Sequence, residues 1–194
     1  MSANDSLPTD GRRLRAVRTR ANILDALLEL LDEGHPDPTA AEIAERAGVA
    51  VRSIAQHFQT REQLLGALAE KHLARQPSPD GIDTSLPFSQ RLSAFVSRRA
   101  AALEASVPMR RVARMAEGRS KAIAAAFREV GRVRRKELQD VFGAELTRRE
   151  GWTLEAADGV TSGAFWDALR EGQRLSDKRA REVLEATLRA LLGA

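Results

Sequence analysis

The stretch AEIAERAGVAVRSIAQHFQTREQLL, from Ala41 to Leu65, constrains the fold more than any other part of the chain. It predicts two very short helices on either side of Gly48, followed by the start of a third. Isolated helices shorter than about 12–15 residues are marginal in water. Both short helices must therefore be held by packing on other helices, in an arrangement that leaves one of them exposed.

Helical periodicity extends over almost the whole chain, and no segment shows the strict alternation of a strand. Thr39 with Glu42, and Thr60 with Gln63, fit capping boxes at two of the helix starts. The helices are predicted at about 13–33, 40–47, 51–57, 61–75, 88–105, 107–117, 120–150, 153–172 and 177–192. This pattern predicts an all-α fold.

The predicted helices fall into an N-terminal three-helix helix-turn-helix head and a larger C-terminal helical body. A segment rich in Pro, Gly, Ser and Asp follows the fourth helix and is the best linker candidate. We expect a flexible tail over 1–11, the head over 12–60 and the body over 61–194, in which 61–75 is a connecting helix.

Composition narrows the class of protein. Hydrophobic residues make up 43% of the 194, so the chain can bury a core. Cys is absent, which excludes disulfides, thiol catalysis and Cys-based zinc sites. No apolar run approaches the roughly 20 residues of a membrane span, and the N-terminus does not have the pattern of a secretory signal. We therefore expect a soluble cytoplasmic protein with no membrane partner.

The charge distribution does not by itself indicate a nucleic-acid partner. The formal net charge is +4, but residues 1–75 hold 10 Lys and Arg against 11 Asp and Glu. A case for DNA binding must therefore depend on where individual charges lie.

The stretch around Gly48 has the residue types that a helix-turn-helix requires. Ala44 is small enough for two helices to cross, and Gly48 can adopt a positive φ in the turn without a Cβ clash. Apolar anchors lie at spacings that place them beneath the second short helix: Ile43, Ala47, Val49, Ile54 and Phe58.

The opposite side of the second short helix is polar. On a helical wheel Arg52 and Gln56 point away from the anchors, and Ser53 and His57 flank them. Base edges in the major groove are read by hydrogen-bonding side chains, so this face indicates a recognition helix. The alternative is a small helical hairpin inside an ordinary bundle.

These residues also carry a family resemblance. Ile43-Ala44, Ala47-Gly48-Val49, His57-Phe58 and Thr60-Arg61-Glu62 resemble the signature of the tetracycline-repressor (TetR) family of transcriptional regulators. The resemblance covers about residues 15–75. It implies a homodimer that binds double-stranded DNA at a palindromic operator, with Thr60 and Arg61 near a phosphate at the start of the fourth helix.

The chain departs from the family pattern at three positions. Ala50 replaces the usual Ser, which removes a helix cap, and Arg52 replaces a frequent Gly, which adds a donor for guanine. Ala55 replaces the usual Tyr, a phosphate contact in the family. The resemblance therefore implies an operator different from that of a typical member.

The segment GRRLRAVRTR, residues 11–20, is basic and contains no acid. Arg13 and Arg15, with Arg12, could follow phosphates or enter a minor groove, as basic arms do. The alternative is a solvated, disordered tail.

The final two predicted helices are the expected dimer surface. Gly159 and Gly163 lie one turn apart with Trp166 after them, and two glycines within a helix suggest the close approach of a second helix. In the last helix Leu184 and Leu188 belong to an apolar face suited to a bundle. Tight packing inside the same subunit is the alternative.

By resemblance, the central helices surround a pocket for an unknown small-molecule effector. The candidate lining residues are Phe95, Met109, Met115, Phe127 and Trp152. For each of them ordinary core packing is the alternative reading.

Catalytic motifs are missing from the sequence. His35, His57 and His72 do not have the spacing of metal ligands, and there is no Gly-rich phosphate loop or nucleophile elbow. We expect no enzyme, no metal and no cofactor. The favoured function is a repressor released from its operator by the effector. The alternatives are a TetR-like activator or protein-responsive regulator, and a helical dimerisation module that does not bind DNA.

Overall fold

The structure is a computed structural model that describes residues 7–35, 37–74, 81–115 and 120–193, and the side chains of 11–35, 37–72, 81–114 and 120–193. These residues form helices and no strand, as the periodicity predicts. The α-helices are α1 (Leu7–Asp32), α2 (Ala40–Ala47), α3 (Val51–His57), α4 (Arg61–Ala74), α5 (Phe88–Ala105), α6 (Val107–Met115), α7 (Lys121–Thr147), α8 (Thr153–Val160), α9 (Gly163–Asp167) and α10 (Asp177–Leu192).

The first helix begins earlier than predicted. It starts at Leu7 instead of about residue 13, so residues 7–11 are helical and not part of a flexible tail. Proline is well tolerated in the first turn of a helix, where its missing N–H has no partner to lose, and Pro8 therefore does not prevent this start. Residues 1–6 lie outside the described part of the chain.

The predicted helix over 153–172 is divided. It ends at Val160, and α9 begins after Ser162, whose hydroxyl accepts a hydrogen bond from the backbone N–H of Phe165 at 3.3 Å. A π-helical turn over Ala168–Gly172 follows α9. Gly159 and Gly163 therefore flank a break between two helices and do not lie within one helix.

The described residues divide into two compact units. The first contains those of Met1–His72 and Pro108–Ala124, and the second contains those of Leu73–Val107 and Ala125–Ala194. The division after His72 differs from the predicted boundary at 60/61. Residues of α4 belong with the head because Leu64 lines the same groove as Ile43 and Ile54.

The core of the second unit is built from α5, α7, α8, α9, α10 and the π-helical turn. Trp166, Leu184 and Leu188 are almost completely buried in this core, and the Trp166 indole donates to a Glu104 carboxylate oxygen at 2.8 Å. The prediction that these three side chains form a dimer interface is wrong, because they have no exposed area to offer a second copy.

None of the described helices is both long and apolar enough to cross a membrane.

Candidate nucleic-acid interface

The first helix of the pair, α2, begins with the predicted capping box. The Thr39 hydroxyl accepts from the backbone N–H of Glu42 at 3.3 Å, and the Glu42 carboxylate accepts from the backbone N–H of Thr39 at 2.7 Å. These bonds satisfy two of the donors that every helix start leaves without partners. The start of α2 is therefore fixed by local sequence.

The turn after α2 depends on Gly48. Its φ is +65° and its ψ is 35°, the left-handed conformation that glycine adopts without penalty. Its backbone N–H points back to the carbonyl oxygens of Ala44 and Glu45, which closes the helix end. The role expected for Gly48 is confirmed.

The two sides of α3 differ as the helical wheel predicts. Ile54 is 6% exposed and Phe58, which follows the helix, is 4% exposed. Arg52 and Gln56 are exposed, and the flanking Ser53 and His57 are partly buried. The structure thus presents an Arg/Gln row to solvent on a helix that is anchored from below.

The start of α3 has no side-chain cap. Ala50 occupies the N-cap position in an extended conformation and makes no side-chain hydrogen bond to the helix. The loss of a cap expected from Ala in place of Ser is confirmed. Tertiary packing of Ile54 and Phe58 must therefore hold this seven-residue helix.

The basic segment belongs to α1. Arg13 and Arg15 are exposed on a helix, not on an extended arm. Arg20 behaves differently, because its guanidinium lies 4.4 Å from the centre of the Phe58 ring. This contact joins α1 to the residue that follows α3, and it was not predicted from the sequence.

The start of α4 is capped differently from the prediction. The Thr60 hydroxyl accepts from the backbone N–H of Gln63 at 3.2 Å. The Gln63 side chain, however, accepts from the backbone N–H of Gln59 at 2.8 Å and not from that of Thr60. The cap therefore extends one residue further back toward α3.

Arg61 is engaged inside the protein. Its guanidinium pairs with the Asp37 carboxylate and donates to the Pro38 carbonyl oxygen at 3.3 Å. Half of the Arg61 side chain remains exposed. A phosphate at the start of α4 would therefore compete with Asp37 for this cation.

Glu62 makes a contact that the sequence analysis missed. One carboxylate oxygen accepts from the backbone N–H of Ala122 at 2.8 Å, at the start of α7. This hydrogen bond, with one from the Ser120 side chain, lowers the pKa of Glu62. A carboxylate at a helix N-terminus is favoured by the free N–H groups and by the helix dipole.

Val51 and Ala55 form a second exposed row on α3, and neither was predicted as a site residue. Val51 is 52% exposed, and Ala55 is also exposed. Beside them lies a groove of about 210 Å³ between α2, α3 and the start of α4. Two apolar residues four positions apart at the start of α3 are the sequence signal that could have identified this row.

The candidate effector residues do not share one environment. Phe95 is fully buried in the second unit, with the Phe142 ring 5.3 Å away at an edge-to-face angle. Met109 is buried in the first unit and Phe127 is half-buried in the second. The side chain of Met115 lies outside the described part of the chain.

Trp152 does not have the environment predicted for it. It lies in the turn before α8 and is 60% exposed, which is unlike the wall of an enclosed pocket. Its place at the end of the turn after Gly151 leaves the indole in solvent. Among the described residues no three His, Asp or Glu side chains are grouped as metal ligands would be.

Comparisons with known proteins address the same part of the chain. The family described as "Bacterial regulatory proteins, tetR family" matches residues 23–68, which run from α1 through α2 and α3 into α4. No functionally curated protein matches the chain significantly.

A solved structure resembles most of the chain in fold. It is a TetR transcription regulator from Haloarcula marismortui ATCC 43049, at 17% sequence identity and a TM-score of 0.68. The match covers 90% of this chain and 98% of that one. Residues 23–68 are therefore similar to the tetR family of bacterial regulatory proteins, and the chain has the fold of a TetR transcription regulator.

Proposed function

We propose that this chain is a homodimeric repressor that reads a palindromic operator through α3 and leaves it when a small-molecule effector binds. The proposal rests chiefly on one observation, the exposed Arg52 and Gln56 above the buried Ile54 and Phe58. Arg pairs with guanine O6 and N7, and Gln pairs with adenine N6 and N7. The α3 face therefore offers hydrogen-bond partners for at least two base pairs.

Phosphate contacts would position that face on the duplex. Thr60 lies at the start of α4, whose free N–H groups form a ready anion site. Arg13 and Arg15 are exposed cations on α1. These side chains carry no sequence information, so their loss should weaken binding to all sequences equally.

A single seven-residue recognition helix reads few base pairs, which favours two copies on two half-sites. For the dimer surface we propose the outer sides of α8, α9 and α10, in place of the buried side chains named from the sequence. Small residues are exposed there: Gly159, Ala164, Ala186 and Ala190. Small side chains allow close approach of helices from a second copy, and Gly163 lies beside them half-buried.

Effector release requires that the effector bind one conformation of the dimer better than the other. Coupling of this kind typically amounts to about 1–3 kcal/mol between sites. Phe95 and Phe127, which both belong to the second unit, remain proposed effector contacts.

Selection of random duplex DNA by the full chain, followed by footprinting of the enriched sequence, tests operator binding. The proposal predicts a two-fold symmetric sequence with two protected half-sites separated by whole turns of the duplex. A helical dimerisation module without DNA binding would enrich no sequence.

A reporter gene with the selected sequence inside its promoter tests the sign of regulation. Expression should fall when the chain is produced and recover when an effector is supplied. Increased expression would instead identify an activator. Mass spectrometry of protein purified from its host would identify a retained small molecule, and adding that molecule should reduce operator binding.

A further inference from the structure

We propose that Val51 and Ala55, the apolar row of α3, read the methyl group of a thymine in each half-site. The inference rests on the proposed function, since it assumes that α3 lies in a major groove. It adds a specificity-determining contact that the Arg52 and Gln56 row cannot supply.

The first observation is the position of Val51 in α3. It is the first residue of α3, and residues at the N-terminal end of a recognition helix are the ones that contact base edges. Val51 lines the groove beside α3 and is 52% exposed, so about half of its surface faces solvent. Its exposed methyl groups become buried only when something covers them.

The second observation is the spacing of the apolar and the polar row along α3. Val51 and Ala55 are four residues apart, so they are neighbours along the helix surface, as Arg52 and Gln56 are. The rows lie side by side, and both are exposed. The major groove is about 12 Å wide, close to the diameter of a helix with its side chains, so Val51 in the first turn can meet a base edge beside the Arg52 and Gln56 row.

The groove beside the apolar row extends the same surface. Its floor consists of the apolar side chains Ile43, Ile54, Phe58 and Leu64, and its volume is about 210 Å³. Val51 and Ala55 also line this groove. An apolar substituent on the DNA can therefore approach the row without displacing a large side chain.

Thymine is the base that matches this surface. It alone among the four bases presents a methyl group in the major groove, beside its O4 acceptor, whereas guanine, adenine and cytosine present only polar groups for recognition there. Covering those polar atoms with Val would remove their water without replacing the hydrogen bonds, which is costly. The row thus favours thymine and disfavours the other bases at the same position.

The test replaces thymine by deoxyuridine, which removes only the methyl group, at each position of the selected operator. Each half-site should contain one thymine whose replacement lowers the affinity of the wild-type chain. Replacing one such thymine should lower it about fourfold, the value expected for burial of one methyl group. Val51→Ser should bind the thymine and deoxyuridine duplexes equally well. Leu86→Ser, which alters another exposed apolar residue, should keep the wild-type difference.

Two results would overturn the inference. One is sequence-specific binding that is unchanged by deoxyuridine at every position, and the other is a Val51→Ser chain that retains the full deoxyuridine penalty. Both leave the proposed function intact. Failure to enrich any DNA sequence would instead contradict the proposed function, and the thymine contact with it.

Discussion

The guanidinium of Arg20 lies over the ring of Phe58, 4.4 Å from its centre. Arg20 belongs to α1 and Phe58 directly follows α3, so this contact ties α3 to a longer helix. The ring is itself almost completely buried. The side of α3 that faces the protein is therefore held by apolar packing and by one cation–π contact.

Arg20→Ala should lower the free energy of unfolding by about 1 kcal/mol, because it removes the cation–π contact and the packing of the Arg20 stem on Phe58. Urea denaturation measures the change. Arg18→Ala is the matched control, since Arg18 is exposed on the same helix and should alter stability by less than about 0.5 kcal/mol. Equal effects of the two substitutions would show that the contact adds nothing.

Asp37→Asn should strengthen operator binding, because it releases the Arg61 guanidinium from its ion pair for a phosphate. The slope of the logarithm of affinity against the logarithm of salt concentration should become steeper by about 0.9, the value for one added phosphate contact. Titrations at several salt concentrations measure it. In an Asp37→Asn, Arg61→Ala chain this gain should disappear. A gain that survives the second substitution would rule out Arg61 as its source.

Glu62→Gln should make stability less dependent on pH. The Ala122 N–H lowers the pKa of Glu62 in the folded chain below its ordinary value of 4.5. Its carboxylate therefore stabilises the fold above about pH 4.5, and this contribution is lost as the pH falls through the folded pKa. The wild type should exceed the variant in free energy of unfolding at pH 7, and the difference should shrink below pH 4.5. A constant difference would contradict the role given to the charge.

Gly159→Leu should produce a folded monomer that no longer binds its operator as a dimer. A Cβ at Gly159 would meet no described heavy atom within 4 Å, so the added side chain has space in the single chain. It would lie on the proposed dimer surface and keep the partner's helices apart. Analytical ultracentrifugation measures the mass, and circular dichroism checks the fold.

Gly143→Leu is the control for the dimer surface, because a Cβ at Gly143 also has open space and lies on α7. This variant should remain dimeric. A Gly159→Leu chain that sediments as a dimer would place the interface elsewhere.

The paired short helices could be predicted because their signals are local. The Thr39–Glu42 cap spans four residues. The left-handed turn requires a residue without a Cβ to avoid strain, and Gly48 supplies it. The spacing of Ile54 and Phe58 then decides which side of α3 is exposed. Each of these features follows from sequence neighbours.

Contacts between distant residues could not be read from spacing. Glu62 and Ala122 are separated by 60 positions, and no sequence pattern in either segment indicates a contact with the other. An apolar stripe such as Leu184 and Leu188 shows that a helix face is buried, but not whether its own chain or a partner buries it. The Ser162 cap was a local signal, and it was missed because the helical pattern continues across it.

The most direct test of the central claim is the affinity of the wild-type and Arg52→Ala chains for the selected operator and for each of its single-base variants. We predict that Arg52→Ala costs about 1–3 kcal/mol on the operator and removes discrimination at one base pair of each half-site. Unchanged affinity, or an equal loss on every sequence, would contradict a reading role for the exposed face of α3.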